Sequence, residues 1–296
     1  MTNIEDSFNF LLADANKKWN SLDITSDFIF GKVMQQSDLC KQLIECILNI
    51  SVDYISYPEI QKVINPALDA KGVRFDVFVK DQKGSVFNIE MQSVDKDHLP
   101  KRSRYYQSMI DLNMIEKGAS YSDLGNSFVI FICSFDLFHH NQTIYTFSNL
   151  CHEVPGLPLN DETVKIFINA QGNSQNINPT LKAFLHYICN GETSNDSFVK
   201  QVDDAVQRAK QNKEWRREYM FLYMRDKENQ EMGALLKSIS QVRKKIAKNL
   251  SVDEIAEIFE EDRTYIQRLV YLLEENPEKN DEELYTIYYN NHYNKR

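Results

Sequence analysis

Three polar residues interrupt the most apolar part of this chain: Asp76 within RFDVFV, and Glu90 and Gln92 within FNIEMQ. Segments this hydrophobic usually end up in a core, where a carboxylate without a partner is costly. Two acids on neighbouring strands would suit a shared divalent cation. Mg²⁺ takes oxygen ligands from one or two carboxylates and keeps several waters. Such an ion supplies what phosphodiester hydrolysis demands, an activated water and a sink for charge on the phosphoryl oxygens. Strand side chains repeat every two residues, so Glu90 and Gln92 would face the same way. Gln92 could orient water or touch phosphate, but it brings no positive charge. The bland alternative is that both acids are solvent-facing residues on a hairpin.

The elements that must position these residues can be read from periodicity. Apolar and polar residues alternate from Val73 to Lys80, as in a half-buried strand. Residues 81–84 (DQKG) form a hairpin turn, with a glycine suited to positive φ. Residues 86–91 return as the second strand. Before them, Asp38 begins a helix with an apolar stripe through Leu39, Leu43, Ile44, Ile47 and Leu48. Residues 54–64 suggest an edge strand interrupted by Pro58. After them, residues 98–117 predict a helix stopped by Gly118. Residues 127–134 (SFVIFICS) predict a central strand buried on both faces. Residues 38–134 thus run helix, strand, strand, strand, helix, strand, and two more strands are expected at 144–150 and 164–169.

Lys96, His98, Lys101, Arg102, Arg104, Tyr105 and Tyr106 cluster just after Gln92. On a helix leaving the second strand they could clamp phosphates, with arginine suited to bidentate contact. Residues four apart share a helix face, so Arg102 and Tyr106 would point together. The alternative is a solvated helix face. His139, His140, Cys151 and His152 have no zinc-ligand spacing and read as loop or strand-end residues. No phosphate-binding GxxxxGK[ST] loop is present.

Beyond residue 171 the pattern turns helical, with segments expected at 180–190, 195–229, 231–248, 252–260 and 263–275. A boundary near residue 172 would give domains of residues 1–172 and 173–296. Residues 251–275 read as two short helices, with Ser251 and Glu254 forming a capping box. This hairpin is similar to a helix-turn-helix that offers Arg263, Thr264, Gln267 and Arg268 to DNA. Its many acids would repel phosphate, which favours a hairpin for packing or self-association. The last sixteen residues, acidic and then tyrosine-rich, read as partly disordered.

The 296 residues carry a formal net charge of −9. A protein that only coats nucleic acid gains its affinity by neutralising phosphates and is usually basic. The balance therefore disfavours a simple coating protein and leaves room for an enzyme with a local basic face. Five scattered cysteines without a CxxC fit reduced thiols in a cytoplasm. The first residues have no basic and apolar signal pattern. No apolar run approaches the ~20 residues that span a membrane.

The phrases SDFIFGKVM at 26–34, RFDVFVKDQKGSVFNIEMQ at 74–92 and KRSRYYQSMID at 101–111 resemble the Rpn (recombination-promoting nuclease) or YhgA-like transposase family. That family lies within the PD-(D/E)xK nuclease superfamily. The likeness extends through 198–220 and covers most of residues 22–225. It implies an α/β fold, a PD-(D/E)xK nuclease-like mixed β-sheet flanked by helices, followed by an all-helical C-terminal region. It also implies a metal-dependent DNA endonuclease in recombination, mobile-element biology or defence. Mg²⁺ (or Mn²⁺ or Ca²⁺) would be the cofactor and DNA the partner, with a homodimer as one arrangement. Asp76 and Glu90 match the metal-binding acids, and Gln92 the position where most of the superfamily carries lysine. Arg102 and Tyr106 are the expected substrate-binding residues. Glu45, on the first helix of the pattern, matches an extra acid of some members or is a solvated glutamate. The alternative is a catalytically weak DNA-binding or protein-interaction module that keeps the nuclease fold.

Overall fold

The computed structural model describes residues 4–56, 58–65, 71–95 and 98–293. Chain contacts divide it into two compact units, Asn20–Arg216 and a second made of Met1–Trp19 with Arg217–Arg296.

The first unit is built on a mixed six-stranded sheet of β1 (Glu59–Ile64), β2 (Val73–Lys80), β3 (Val86–Gln92), β4 (Ser127–Cys133), β5 (Ile144–Phe147) and β6 (Thr163–Asn169). The spatial order is β1-β2-β3-β4-β6-β5. β1, β2 and β3 form an antiparallel meander, β3, β4 and β6 run parallel, and β5 closes the far edge antiparallel to β6. Of the segment 54–64 expected as an edge strand, only Glu59–Ile64 forms one, beginning just after Pro58. The apolar run at β4 takes a central place between β3 and β6. At the β2–β3 turn, Asp81 accepts the backbone N–H groups of Lys83 and Ser85, each at 2.8 Å, and Gly84 adopts φ 83°.

One sheet face packs on α4 (Leu99–Met114). Leu99, Tyr106, Met109 and Ile110 of the helix join Phe75, Phe78, Val129, Phe131 and Phe167 of the sheet in one buried cluster. Pro100 sits in the first helical turn, where its missing N–H has no partner to lose. The helix ends at Met114 rather than near Lys117, because Ile115 is extended (φ −100°, ψ 129°). α2 (Asp27–Met34) packs against β1, β2 and β3, and α3 (Ser37–Leu48) and α6 (Ser197–Gln211) pack against α2. α5 (Pro179–Asn190) lies against α3 and α6.

This packing corrects the expected boundary near residue 172. The apolar faces of α5 and α6, including Phe184, Phe198 and Val202, are fully buried within the Asn20–Arg216 unit. The segment at 171–178 is therefore a linker inside that unit. A second correction concerns the long helical stretch. It breaks at Asn212, whose extended backbone (φ −74°, ψ 113°) ends α6, and continues unbroken as α7 (Lys213–Ile246). β5 is also shorter than expected, ending at Phe147.

In the second unit, α1 (Ile4–Ser21) meets α7 through Trp19 and Tyr219, whose rings lie 5.5 Å apart, and through a hydrogen bond from Tyr223 to Asp14. The end of α7 packs with α8 (Val252–Phe259), α9 (Arg263–Glu275) and α10 (Asp281–Tyr293) around Ile239, Val242, Ile255, Ile266, Leu269 and Leu284. The tail, expected to be partly disordered, forms α10 because Leu284 reaches this core with 0% exposure; residues 294–296 lie outside the described range. Among the described residues, no helix is long and apolar enough to cross a membrane.

Candidate active site

Asp76 sits where the ladder of β2 is interrupted. The register runs Lys62↔Phe75 and Ile60↔Val77 with β1, and begins at Val77↔Ile89 with β3, so Asp76 falls between paired residues. Gln61, facing it on β1, takes a left-handed φ of 52°. Phe75 and Phe78 stack at 5.7 Å although three residues apart, so the two-residue alternation fails between them. An unpaired backbone N–H must find another acceptor. The Asp76 N–H donates to Glu90 Oε1 at 3.1 Å, and the Met91 N–H donates to Asp76 Oδ2 at 3.2 Å. Each acid thus accepts a backbone N–H from the other's strand.

Both acids are inside the protein, with Asp76 7% exposed and Glu90 fully buried. The hairpin reading with solvent-facing acids is therefore excluded. Burial pushes the Asp76 carboxyl up to about 7, and the negative charge of Asp27 adds to that; the Met91 N–H, Arg102 and Arg74 pull the other way. Burial, then Asp76, raises Glu90 well above the ordinary carboxylate range, against the opposing pull of Arg102, the Asp76 N–H and Asn88. Hydrogen bonds to charged groups contribute roughly 1.5–3 kcal/mol each, which offsets only part of the desolvation. The acid pair is short of positive charge.

Arg102 supplies some of it. α4 leaves the end of β3 so that Arg102 Nη2 donates to Glu90 Oε2 at 2.7 Å and Nη1 donates to Gln92 Oε1 at 3.0 Å. Glu90 and Gln92 therefore do share a face, and one guanidinium spans them. Gln92 also donates through Nε2 to the Val94 carbonyl at 2.6 Å. Arg102 and Tyr106 do point together, with Nε donating to the Tyr106 hydroxyl at 2.8 Å. The guanidinium carbon lies 4.8 Å from the Tyr106 ring centre, within cation–π range.

Asp76 opens into a cleft of about 770 Å³ lined also by Gln92, Arg102 and Tyr106, with Lys71, Arg74, His98, Lys101 and Tyr105 among the other lining residues; Glu90 is fully buried and outside this lining. Arg104 is exposed and outside this lining, and Lys96 lies outside the described residues. Four charged or amide residues of the site escaped the sequence reading, Arg74 of β2 among them. Asp27, in the first turn of α2, lines the cleft and is the acid whose charge reaches Asp76. Nothing in its local sequence marks it beyond a place in a first helical turn. Glu45 does not take this place. It accepts the Val52 N–H at 2.9 Å and pairs with Lys41 at 3.9 Å. Asn88, fully buried two residues before Glu90, has neither side-chain polar atom in a hydrogen bond of good geometry. Lys71, before β2, joins the cleft through a contact between its carbonyl and the Tyr105 hydroxyl.

The donor set suits a hard cation. It offers carboxylate oxygens from two strands and needs positive charge, and one of the two acids, Asp76, borders the open cleft. Among the described residues no three acidic, histidine or cysteine side chains converge as a full cage. Mg²⁺ rarely uses such cages, since it keeps several waters and binds through one or two carboxylates.

Compared with known proteins, neither the curated sequences nor the solved structures give a match. Residues 23–231, more than two thirds of the chain, match a family described as PD-(D/E)XK nuclease family transposase. The matched span holds the whole six-stranded sheet, the acid pair and Arg102. The chain belongs to the PD-(D/E)XK nuclease family transposases.

Proposed function

We propose that the chain is a metal-dependent DNA endonuclease that hydrolyses phosphodiester bonds, with Asp76 and Glu90 as ligands of one divalent ion. The observation that carries this reading is the buried acid pair, deficient in positive charge, whose Asp76 lines a cleft rimmed by cationic side chains. Mg²⁺, or Mn²⁺ in its place, would activate water and draw charge from the phosphoryl oxygens. Asp76 and Glu90 hold their positions through each other's strand amides, so the ligand oxygens are oriented before any ion arrives. Asp27 adds negative charge beside Asp76. Arg102 and Lys101 would bind phosphate, the arginine through its planar fork. Tyr106 fixes the arginine's side chain, and Gln92 would orient water without contributing charge.

The test is incubation of the purified protein with plasmid DNA and Mg²⁺ or Mn²⁺. Cleavage is expected, with at least a hundredfold loss in Asp76→Ala and Glu90→Ala, the scale of removing a charge-stabilising group. Cleavage at full rate in both variants overturns the assignment. A second reading, a catalytically weak DNA-binding or interaction module, draws on the neutral Gln92. It predicts metal-independent DNA binding that survives Asp76→Ala while cleavage is absent even in the unaltered protein.

A further inference from the structure

Arg102 is held on several sides at once. Its three nitrogens donate to Glu90 Oε2 (2.7 Å), Gln92 Oε1 (3.0 Å) and the Tyr106 hydroxyl (2.8 Å). Its carbon also lies 5.3 Å from the Phe131 ring centre. The side chain nevertheless remains 34% exposed, and it lines the cleft. The two oxygens of Glu90 are both engaged, Oε1 by the Asp76 N–H and Oε2 by Arg102. A carboxylate oxygen that binds a guanidinium head-on is poorly placed to bind a dication as well, since the two positive charges would repel within a few ångströms. Arg102 also has somewhere to go, because it borders the open cleft where a phosphate would sit.

We propose that Arg102 is a displaceable counter-cation: it neutralises the Glu90–Gln92 edge and would shift from Glu90 to a substrate phosphate when a divalent ion binds at the acid pair. This rests on the metal-dependent reading above. Its consequence is coupling between metal and substrate. Metal alone must displace the arginine, whereas metal with DNA gives the arginine a new partner. By linkage each then strengthens the binding of the other. The device keeps the acid pair neutralised until a phosphodiester is in the cleft.

The experiment is Mn²⁺ binding, followed by electron paramagnetic resonance, to the full chain and to Arg102→Gln, Arg102→Lys and Asp76→Asn. Arg102→Gln is expected to bind Mn²⁺ at least tenfold more tightly than the unaltered protein while cleaving plasmid DNA more slowly. A purely structural arginine would give the opposite, weaker Mn²⁺ binding. Arg102→Lys keeps the charge but loses the fork, so its Mn²⁺ affinity is expected to rise by a smaller factor. It decides the matter if the glutamine variant does not fold. Mn²⁺ binding that Asp76→Asn abolishes but neither Arg102 variant tightens overturns the counter-cation proposal alone. Absence of Mn²⁺ binding from every form overturns the metal reading and this proposal with it.

Discussion

Two arginine–carboxylate pairs, one in each unit, show how little a contact says without its surroundings. Arg102 and Glu90 meet beneath α4, where the glutamate side chain is 0% and the arginine 34% exposed. Arg263 and Asp253 meet across the α8–α9 hairpin with 63% and 70% of their side chains in solvent. Both are close ion pairs. In the first, the glutamate has no water to fall back on, so its neighbours decide its charge. In the second, either partner can return to water at small cost. The buried pair is therefore governed by its protein surroundings, and the exposed pair by solvent.

Removing the arginine from the buried pair is expected to cost far more than removing it from the exposed one. Breaking a fully buried ion pair costs roughly 3–5 kcal/mol. Arg102 is partly exposed and Glu90 can escape by taking a proton, so Arg102→Ala is expected to lose about 2–3 kcal/mol. Urea unfolding of the metal-free protein at neutral pH measures this. A loss under about 0.5 kcal/mol would place this pair with ordinary surface ion pairs.

The acid pair also gives stability a pH dependence that the hairpin acids do not share. Asp76 rises from an ordinary 3.8 to about 7 on folding. The folded state therefore holds this proton more tightly than the unfolded chain. The stability it contributes is fully present below about 4 and is lost as pH rises to about 7, by at most about 1.4 kcal/mol per pH unit. Asp262 and Glu254, at the N-terminal ends of α9 and α8, are shifted the other way by Thr264 and Ser251. Their contribution is present above the unfolded values and is lost as pH falls. The check is the difference between the unaltered protein and Asp76→Asn, unfolded by urea from pH 4 to pH 8. The Asp76-dependent decline should vanish in the variant, and identical profiles would refute the shift.

The sequence made some of this legible and hid the rest for physical reasons. Local periodicities carried over well. The two-residue repeat placed Glu90 and Gln92 on one face, and the four-residue helical spacing placed Arg102 beside Tyr106. The Ser251–Glu254 capping box is present, with Ser251 donating its N–H to the glutamate at 2.7 Å. Features set by distant contacts were not legible. The interruption at Asp76 lies opposite Gln61 of another strand. Asp27 reaches the cleft only because α2 packs on β1, β2 and β3, and nothing local separates it from any acid in a first helical turn. The boundary expected near 172 followed a change of composition. The true division follows from where α5 and α6 bury their apolar faces.

The exposed pair supplies the smallest effect. Arg263→Ala is expected to cost no more than about 0.5 kcal/mol, since exposed ion pairs seldom contribute more. Asp253 does not become an orphan on losing its partner. It lies in the first turn of α8, where the helix dipole favours negative charge, and it is open to water. Any loss should also shrink with salt, because the Debye length falls to about 3 Å at 1 M. The Arg102→Ala deficit should persist in salt, since the glutamate it leaves behind is screened from ions by the sheet and α4. Urea unfolding of both variants at low salt and at 1 M NaCl measures the contrast directly. Equal, salt-sensitive losses would mean that Glu90 is as well solvated as Asp253, which its full burial forbids.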